Sequence, residues 1–171
     1  MDFVSHYDSP LGGMTLASDG EALIGLWFDD QKYFGRTISG RQEEKPVPVL
    51  QKAAGWLSAY FSGRVPGSLP PLCLRATPFQ TLVYRILLSI PYGRTMTYGQ
   101  IAAEAARAMG VPRMSAQAVG SAVGKNPISL MIPCHRVVGK NGSLTGYAGG
   151  LFRKEKLMEL ERSTMDRQRT G

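Results

Sequence analysis

The sequence predicts an α/β chain of the α+β kind, with a small N-terminal antiparallel-sheet domain packed on a mostly helical C-terminal domain. Three observations lead there. Period-two apolar stretches separated by glycine and Asp-Gly turns occupy residues 1–45. A Gly/Pro-rich stretch, 63-GRVPGSLPPLCLRATPF-79, interrupts the chain near its middle. Capped helical patterns then follow one another from Thr77 to Asn126. The expected organisation is a strand-rich domain over 1–75, a helical domain over 76–161 and a basic, frayed tail over 162–171.

Each element has a local reason. FVSHYDS, MTLASDG and ALIGLWFDD read as strands, joined by the Pro10–Gly13 turn and the Asp19-Gly20 break. Residues 47–62, VPVLQKAAGWLSAYFS, place Val49, Ala53, Trp56, Leu57, Tyr60 and Phe61 on one helical stripe, and core packing is their expected role. Cys73 lies between leucines in the Gly/Pro-rich stretch and is expected to act as a small hydrophobe. Thr77 can cap a helix with Pro78 at its first position, and Pro91-Tyr92-Gly93 ends it. Thr97 can cap YGQIAAEAARAM, which Gly110 and Pro112 stop. Ser115 opens AQAVGSAVGKN, which Asn126-Pro127 terminates. The last two, joined by a tight turn, resemble a helix-turn-helix. The small residues Ala116, Ala118, Gly120, Ser121, Ala122 and Gly124 would let the second of these approach a partner closely. A short amphipathic helix, LFRKEKLMELE, closes the pattern at residue 161.

Charge narrows the partners. The formal net charge is +7, and it is unevenly placed. Residues 1–75 carry seven Lys/Arg against eight Asp/Glu, whereas residues 76–171 carry thirteen against five. A cationic second half suits a polyanion. No apolar run reaches the roughly 18 residues of a membrane span. The start, MDFVSHYDSP, lacks a basic segment followed by an apolar core, so a cytoplasmic protein with reduced thiols is expected.

The chemistry concentrates in 128-ISLMIPCHRVVGKNGSLTGYAGG-150. Zinc needs three or four ligands at short paired spacings, and the other candidates, Cys73 and His6, are distant in sequence; no metal site is expected. A nucleophile is the alternative to a buried structural thiol. Cys134 would need a base to take its proton, and His135 is adjacent. Neighbours on an extended segment point to opposite faces, so the pair can cooperate only if the chain turns sharply or a water intervenes. Pro133 favours a rigid, irregular segment, and the glycines from Gly139 to Gly150 provide a loop able to fold over the thiol.

Pro133-Cys134-His135-Arg136-Val137 resembles the active-site signature of the O6-alkylguanine-DNA alkyltransferases, the single-turnover DNA repair methyltransferases. The resemblance covers about the last ninety-five residues. It takes in Thr77-Pro78-Phe79-Gln80, Tyr98-Gly99-Gln100-Ile101-Ala102, Ala118-Val119-Gly120, Lys125-Asn126-Pro127 and Gly146-Tyr147-Ala148-Gly149-Gly150, in family order. It implies a helix-turn-helix that binds the minor groove of double-stranded DNA and flips the damaged nucleotide out of the stack. Cys134 would then accept an alkyl group from O6 of guanine, and the family suggests O4 of thymine as a second donor. The resemblance makes His135 the base, acting through a water, with Glu161 orienting it and Asn126 organising the hinge. Tyr98 would help turn the nucleotide. Main-chain atoms around Cys134, Val137 and Ala148 would bind the guanine edge, with Tyr147 as a pocket wall. The implied DNA-facing set adds Arg113, Gln117, Ala118, Gly120 and Arg136. No cofactor is implied, because the alkyl group passes from DNA to the protein itself. A monomer is expected, with room for several copies along one DNA.

The sequence also departs from the family. Gln117 stands where an arginine commonly fills the gap left by the flipped base, and it lacks the charge and planar fork. Ala148 replaces a serine seen in some relatives. Two other readings compete: a lesion binder without catalysis, which the Cys134, His135 and Glu161 set disfavours, and a Cys-His hydrolase, which would need neither a basic half nor a helix-turn-helix.

Overall fold

The computed structural model describes residues 1–170. Strands β1 (Asp2–Ser9), β2 (Gly12–Ser18) and β3 (Leu23–Phe28) form an antiparallel meander, with Val4 opposite Ala17 and Leu16 opposite Leu26. A fourth strand, β4 (Gln42–Glu44), pairs with β1 in parallel, giving the order β3-β2-β1-β4. The antiparallel expectation thus holds for three strands, and the parallel edge is an addition. Helix α1 (Pro48–Phe61) lays Leu50, Ala53, Leu57 and Tyr60 into the core.

All six residues of β3 are buried, although it lies at an edge of the sheet. The reason is that other segments complete it. Leu23 bonds Pro71 and Cys73 through the main chain, and Leu26 bonds Pro127 and Ser129. An edge strand that would otherwise invite pairing is therefore covered, and the segment running toward Cys134 hangs from it.

Helices α2 (Pro78–Leu88), α3 (Tyr98–Met109) and α4 (Ala116–Gly124) follow. Thr77 and Thr97 form full capping boxes with Gln80 and Gln100, and the Ser115 hydroxyl accepts from the Gln117 and Ala118 amides. Gly110 ends α3 at φ +67°, a left-handed conformation in which glycine has no Cβ to clash. The Tyr84 hydroxyl donates to the Ala122 carbonyl at 2.8 Å and ties α2 to α4. Between α2 and α3, the short strand β5 (Met96–Thr97) pairs in parallel with β6 (Val137–Val138).

Helix α5 runs from Leu151 to Thr170, which corrects the expectation of a frayed tail from residue 162. Thr164 is buried and bonds the Leu160 carbonyl, and Arg167 donates to the Gly63 carbonyl. These contacts anchor a stretch whose own pattern is almost wholly polar. Gly171 lies outside the described residues.

The core is continuous across the Gly/Pro-rich stretch. Leu16, Leu26 and Phe28 of the sheet join Val83, Tyr84, Ile101, Val119, Ile132, Cys134 and Leu157 in one cluster. Each fully buried aliphatic or Phe side chain there contributes about 1.5–3 kcal/mol. Arg153 adds a polar rivet: it donates to Leu11 O at 2.9 Å and Asp30 at 2.6 Å, and lies 4.3 Å over the Phe28 ring.

Candidate active site

The approach to Cys134 is rigid because Asn126 ties it down. Its Nδ2 donates to the Ile132 carbonyl at 2.7 Å and its Oδ1 accepts from the Ile128 amide at 3.0 Å. Leu130 inside this span sits at φ +71°, a strained conformation for a residue with a Cβ. The chain then enters a single 3₁₀ turn, Cys134–Arg136. That turn answers the objection raised by adjacency. Successive side chains of a 3₁₀ turn diverge by a third of a circle rather than half, so neighbouring residues serve different sides of one corner.

His135 faces inward and is fully buried. Its Nε2–H donates to Glu161 Oε2 at 2.5 Å, while Nδ1 is buried with no hydrogen-bond partner of its own. Glu161, also buried, accepts from three further groups. Arg136 forks onto both carboxylate oxygens at 2.8 and 3.2 Å, the Gly93 amide bonds Oε1 at 2.9 Å, and the Tyr60 hydroxyl bonds Oε2 at 2.7 Å. Burial opposes ionisation of Glu161, but hydrogen bonds and charge from His135 and Arg136 outweigh it and hold its pKa at about 2. Burial lowers the His135 pKa despite the carboxylate beside it, so the imidazole is neutral at neutral pH, with its lone pair on Nδ1.

Cys134 is in the opposite situation. Burial raises its thiol pKa to about 11, only partly offset by a hydrogen bond from Asn126 and the charge of Lys154. The thiol therefore rests protonated and needs a base. It lines a cavity of about 250 Å³. Gly120, Ser121, Val123 and Gly124 of α4 form one wall, and Tyr98, Gly146, Tyr147 and Ala148 another. Gly149 behind them is required: a Cβ there would meet the Tyr147 ring at 2.7 Å and Phe28 at 3.1 Å. The Tyr98 hydroxyl donates to the Thr145 carbonyl at 3.1 Å.

Most expected residues converge here: Cys134, His135, Glu161, Asn126, Tyr98, Gly120, Tyr147 and Ala148. Gln117 and Arg113 are exposed at the start of α4 and in the turn before it, and Ala118 is half-buried one residue beyond Gln117. Val137 is fully buried in β6, paired with Met96, and does not line the cavity. Arg136 requires correction. Expected on the DNA-facing surface, it is buried, pairs with Glu161 and donates to the Ile90 carbonyl at 2.8 Å. A guanidinium committed to a buried carboxylate and a carbonyl is not free for phosphate.

Three features escaped sequence reading. Lys154 is fully buried and donates to the Thr145 and Gly146 carbonyls at 2.8 and 3.0 Å, and burial lowers its pKa to about 8. Its place three residues into α5, among charged neighbours, carries no local sign of burial. Lys32 and Tyr33, from the N-terminal half, line the Cys134 cavity. The third is the Tyr60 hydroxyl, which the helical stripe assigned to packing alone. Among the described residues, no group of three or more His, Cys, Asp or Glu is placed to hold a metal ion, and no helix is long and apolar enough to cross a membrane.

Known proteins match this architecture closely. Residues 78–163 match the family described as 6-O-methylguanine DNA methyltransferase, DNA binding domain, and residues 3–70 match its ribonuclease-like domain. The methylated-DNA–protein-cysteine methyltransferase of Mycobacterium tuberculosis is 44% identical over 162 residues, covering 92% of this chain and 93% of that protein. The protein of the same name from Haemophilus influenzae is 38% identical, covering 94% and 86%. A crystal structure of Mycobacterium tuberculosis OGT in complex with DNA superposes with a TM-score of 0.83 at 40% identity, over 95% of this chain and 94% of that one. With both halves matched and the buried Cys134, His135 and Glu161 in place, the chain belongs to the 6-O-methylguanine DNA methyltransferase family.

Proposed function

We propose that the protein repairs double-stranded DNA by moving the alkyl group of O6-alkylguanine irreversibly onto Cys134. The observation that carries this reading is a protonated thiol on the wall of a base-sized cavity, one residue from a neutral imidazole whose free lone pair is Nδ1. Helices α3 and α4 form the helix-turn-helix, and the DNA partner fits the cationic second half. The target nucleotide must leave the stack, since its O6 edge is out of reach inside a duplex.

The step balances without a cofactor. His135 Nδ1 takes the thiol proton through a water, and Glu161 stabilises the imidazolium that results. The Cys134 thiolate attacks the alkyl carbon, an S–C bond forms and the C–O6 bond breaks. The electron pair passes into the guanine ring, which takes up through water the proton held on His135 and leaves as neutral guanine. The thioether product is stable, so each molecule acts once. Asn126 keeps the turn in register with α4, Tyr98 and Gln117 hold the displaced nucleotide and its gap, and Tyr147 and Ala148 confine the base. The setting under this reading is a monomer in the cytoplasm.

Intact-protein mass spectrometry after incubation with a duplex bearing one O6-methylguanine tests the proposal. A stoichiometric gain of one methyl group mapping to Cys134 is the expected result. Binding without any gain would overturn it.

A further inference from the structure

The mechanism gives no task to the buried hydroxyl that bonds the Glu161 carboxylate. Tyr60 lies on α1, in the N-terminal half, and its ring is fully buried. Its hydroxyl donates to Glu161 Oε2, the same oxygen that accepts from His135, and stands 3.4 Å from His135 Nε2. We propose that Tyr60 is a positioning residue for the catalytic pair, holding the Glu161 carboxylate as the fixed acceptor of the His135 Nε2–H bond. The inference rests on the alkyl-acceptor reading of Cys134.

The geometry leaves the hydroxyl little freedom. Trp56 stacks on the Tyr60 ring at 5.4 Å, and Phe61 and Tyr92 contact it edge-on at 5.4 and 6.0 Å. The His135 ring meets it at 6.3 Å and 79°. A donor locked on four sides is preorganised and needs no rearrangement when charge develops. Nε2 has one hydrogen and gives it to Glu161, so the Tyr60 hydrogen also points to the carboxylate. Burial and the Glu161 charge raise the Tyr60 pKa well above its usual value, so it stays a donor throughout.

Two effects follow. The carboxylate cannot swing toward Arg136 alone, so the proton stays on Nε2 and the lone pair stays on Nδ1. The second donor also disperses charge on Oε2. When a proton arrives at Nδ1, the Nε2 proton then remains on the ring instead of crossing to Glu161.

The test is Tyr60→Phe, which keeps the ring and removes only the hydroxyl. Single-turnover methyl transfer from an O6-methylguanine duplex is followed with protein in excess, from about pH 5 to 9. The charged and titratable groups around His135 are Glu161 and Lys154 of α5, Arg136 and Cys134 of its own turn, and Tyr60, with Tyr92 beyond it against the Tyr60 ring. Of these the substitution alters one. Without Tyr60 the carboxylate holds imidazolium more strongly, the His135 pKa rises, and the acid limb of the rate profile moves to higher pH. The expected result is a transfer rate about tenfold lower at neutral pH, the low end for a hydrogen bond to a charged group, with duplex affinity unchanged. Val49→Ala is the control, since it loosens the packing of the same helix without touching the Tyr60 ring or its hydroxyl, and it should transfer at close to the normal rate. An unchanged rate and profile for Tyr60→Phe would overturn the inference. So would equal slowing in both variants with no shift of the acid limb. Absence of transfer by the unsubstituted protein would instead overturn the reading of Cys134 on which it rests.

Discussion

Cys134 and His135 are neighbours in sequence and opposites in environment. The thiol lines a cavity walled by small residues and aromatic rings, where burial makes its anion costly. The imidazole lies against a carboxylate that four donors satisfy. One side is poor in partners and the other saturated with them. The difference teaches how a protein can keep a nucleophile unreactive at rest: burial holds the thiol protonated, and the groups able to take its proton are built beside it. A thiol with its pKa depressed at rest would instead be exposed to oxidation and stray electrophiles.

That contrast can be broken from either side. Cys134→Ala should abolish transfer while retaining affinity for alkylated duplex in a gel-shift assay; residual transfer would place the acceptor elsewhere. Glu161→Gln should cost next most, about 10³–10⁴-fold in transfer rate, as when the carboxylate of a Ser-His-Asp triad is neutralised. It also strands a buried Arg136, with a stability loss of about 3–5 kcal/mol measurable by urea unfolding. Lys154→Met should slow transfer on the order of 10- to 100-fold by loosening the Thr145–Gly146 carbonyls that shape the pocket, with a smaller effect on duplex binding.

Acid sharpens the same comparison. Glu161 has its pKa lowered from 4.5 to about 2 in the folded protein. A depressed carboxylate contributes stability above its unfolded pKa and loses it as pH falls through the folded value. The urea midpoint should therefore fall between about pH 4.5 and 2, and less steeply in Glu161→Gln. The smallest effect expected is at the DNA surface. Gln117→Arg should tighten duplex binding modestly and steepen its salt dependence, because one more phosphate-neutralising charge releases about one more counterion.

What the sequence disclosed follows the range of the interaction. Helix starts were legible because Thr77, Thr97 and Ser115 act on amides two or three residues away. The Cys134 motif was legible because its parts are contiguous. The parallel pairing of β4 with β1 joins residues about forty apart, and its three exposed polar positions carry no apolar alternation. The continuation of α5 past Glu161 depends on Thr164 and on Arg167 reaching Gly63, contacts that only the folded chain creates. Arg136 was misplaced because a basic residue in a cationic half reads as a surface charge until its carboxylate is found. Tyr60 and Lys154 failed for the same reason: each reads locally as an ordinary helical residue, and its role lies in a partner 101 or 9 positions away.

The Thr145 carbonyl is bonded twice, by the Tyr98 hydroxyl and by the Lys154 ammonium. An oxygen with two donors can release one without being orphaned. Under the function proposed above, Tyr98 can leave this oxygen for an incoming nucleotide while Lys154 still satisfies it. The carbonyl is thus over-supplied with donors in the resting protein, and the loss of either one leaves it satisfied by the other.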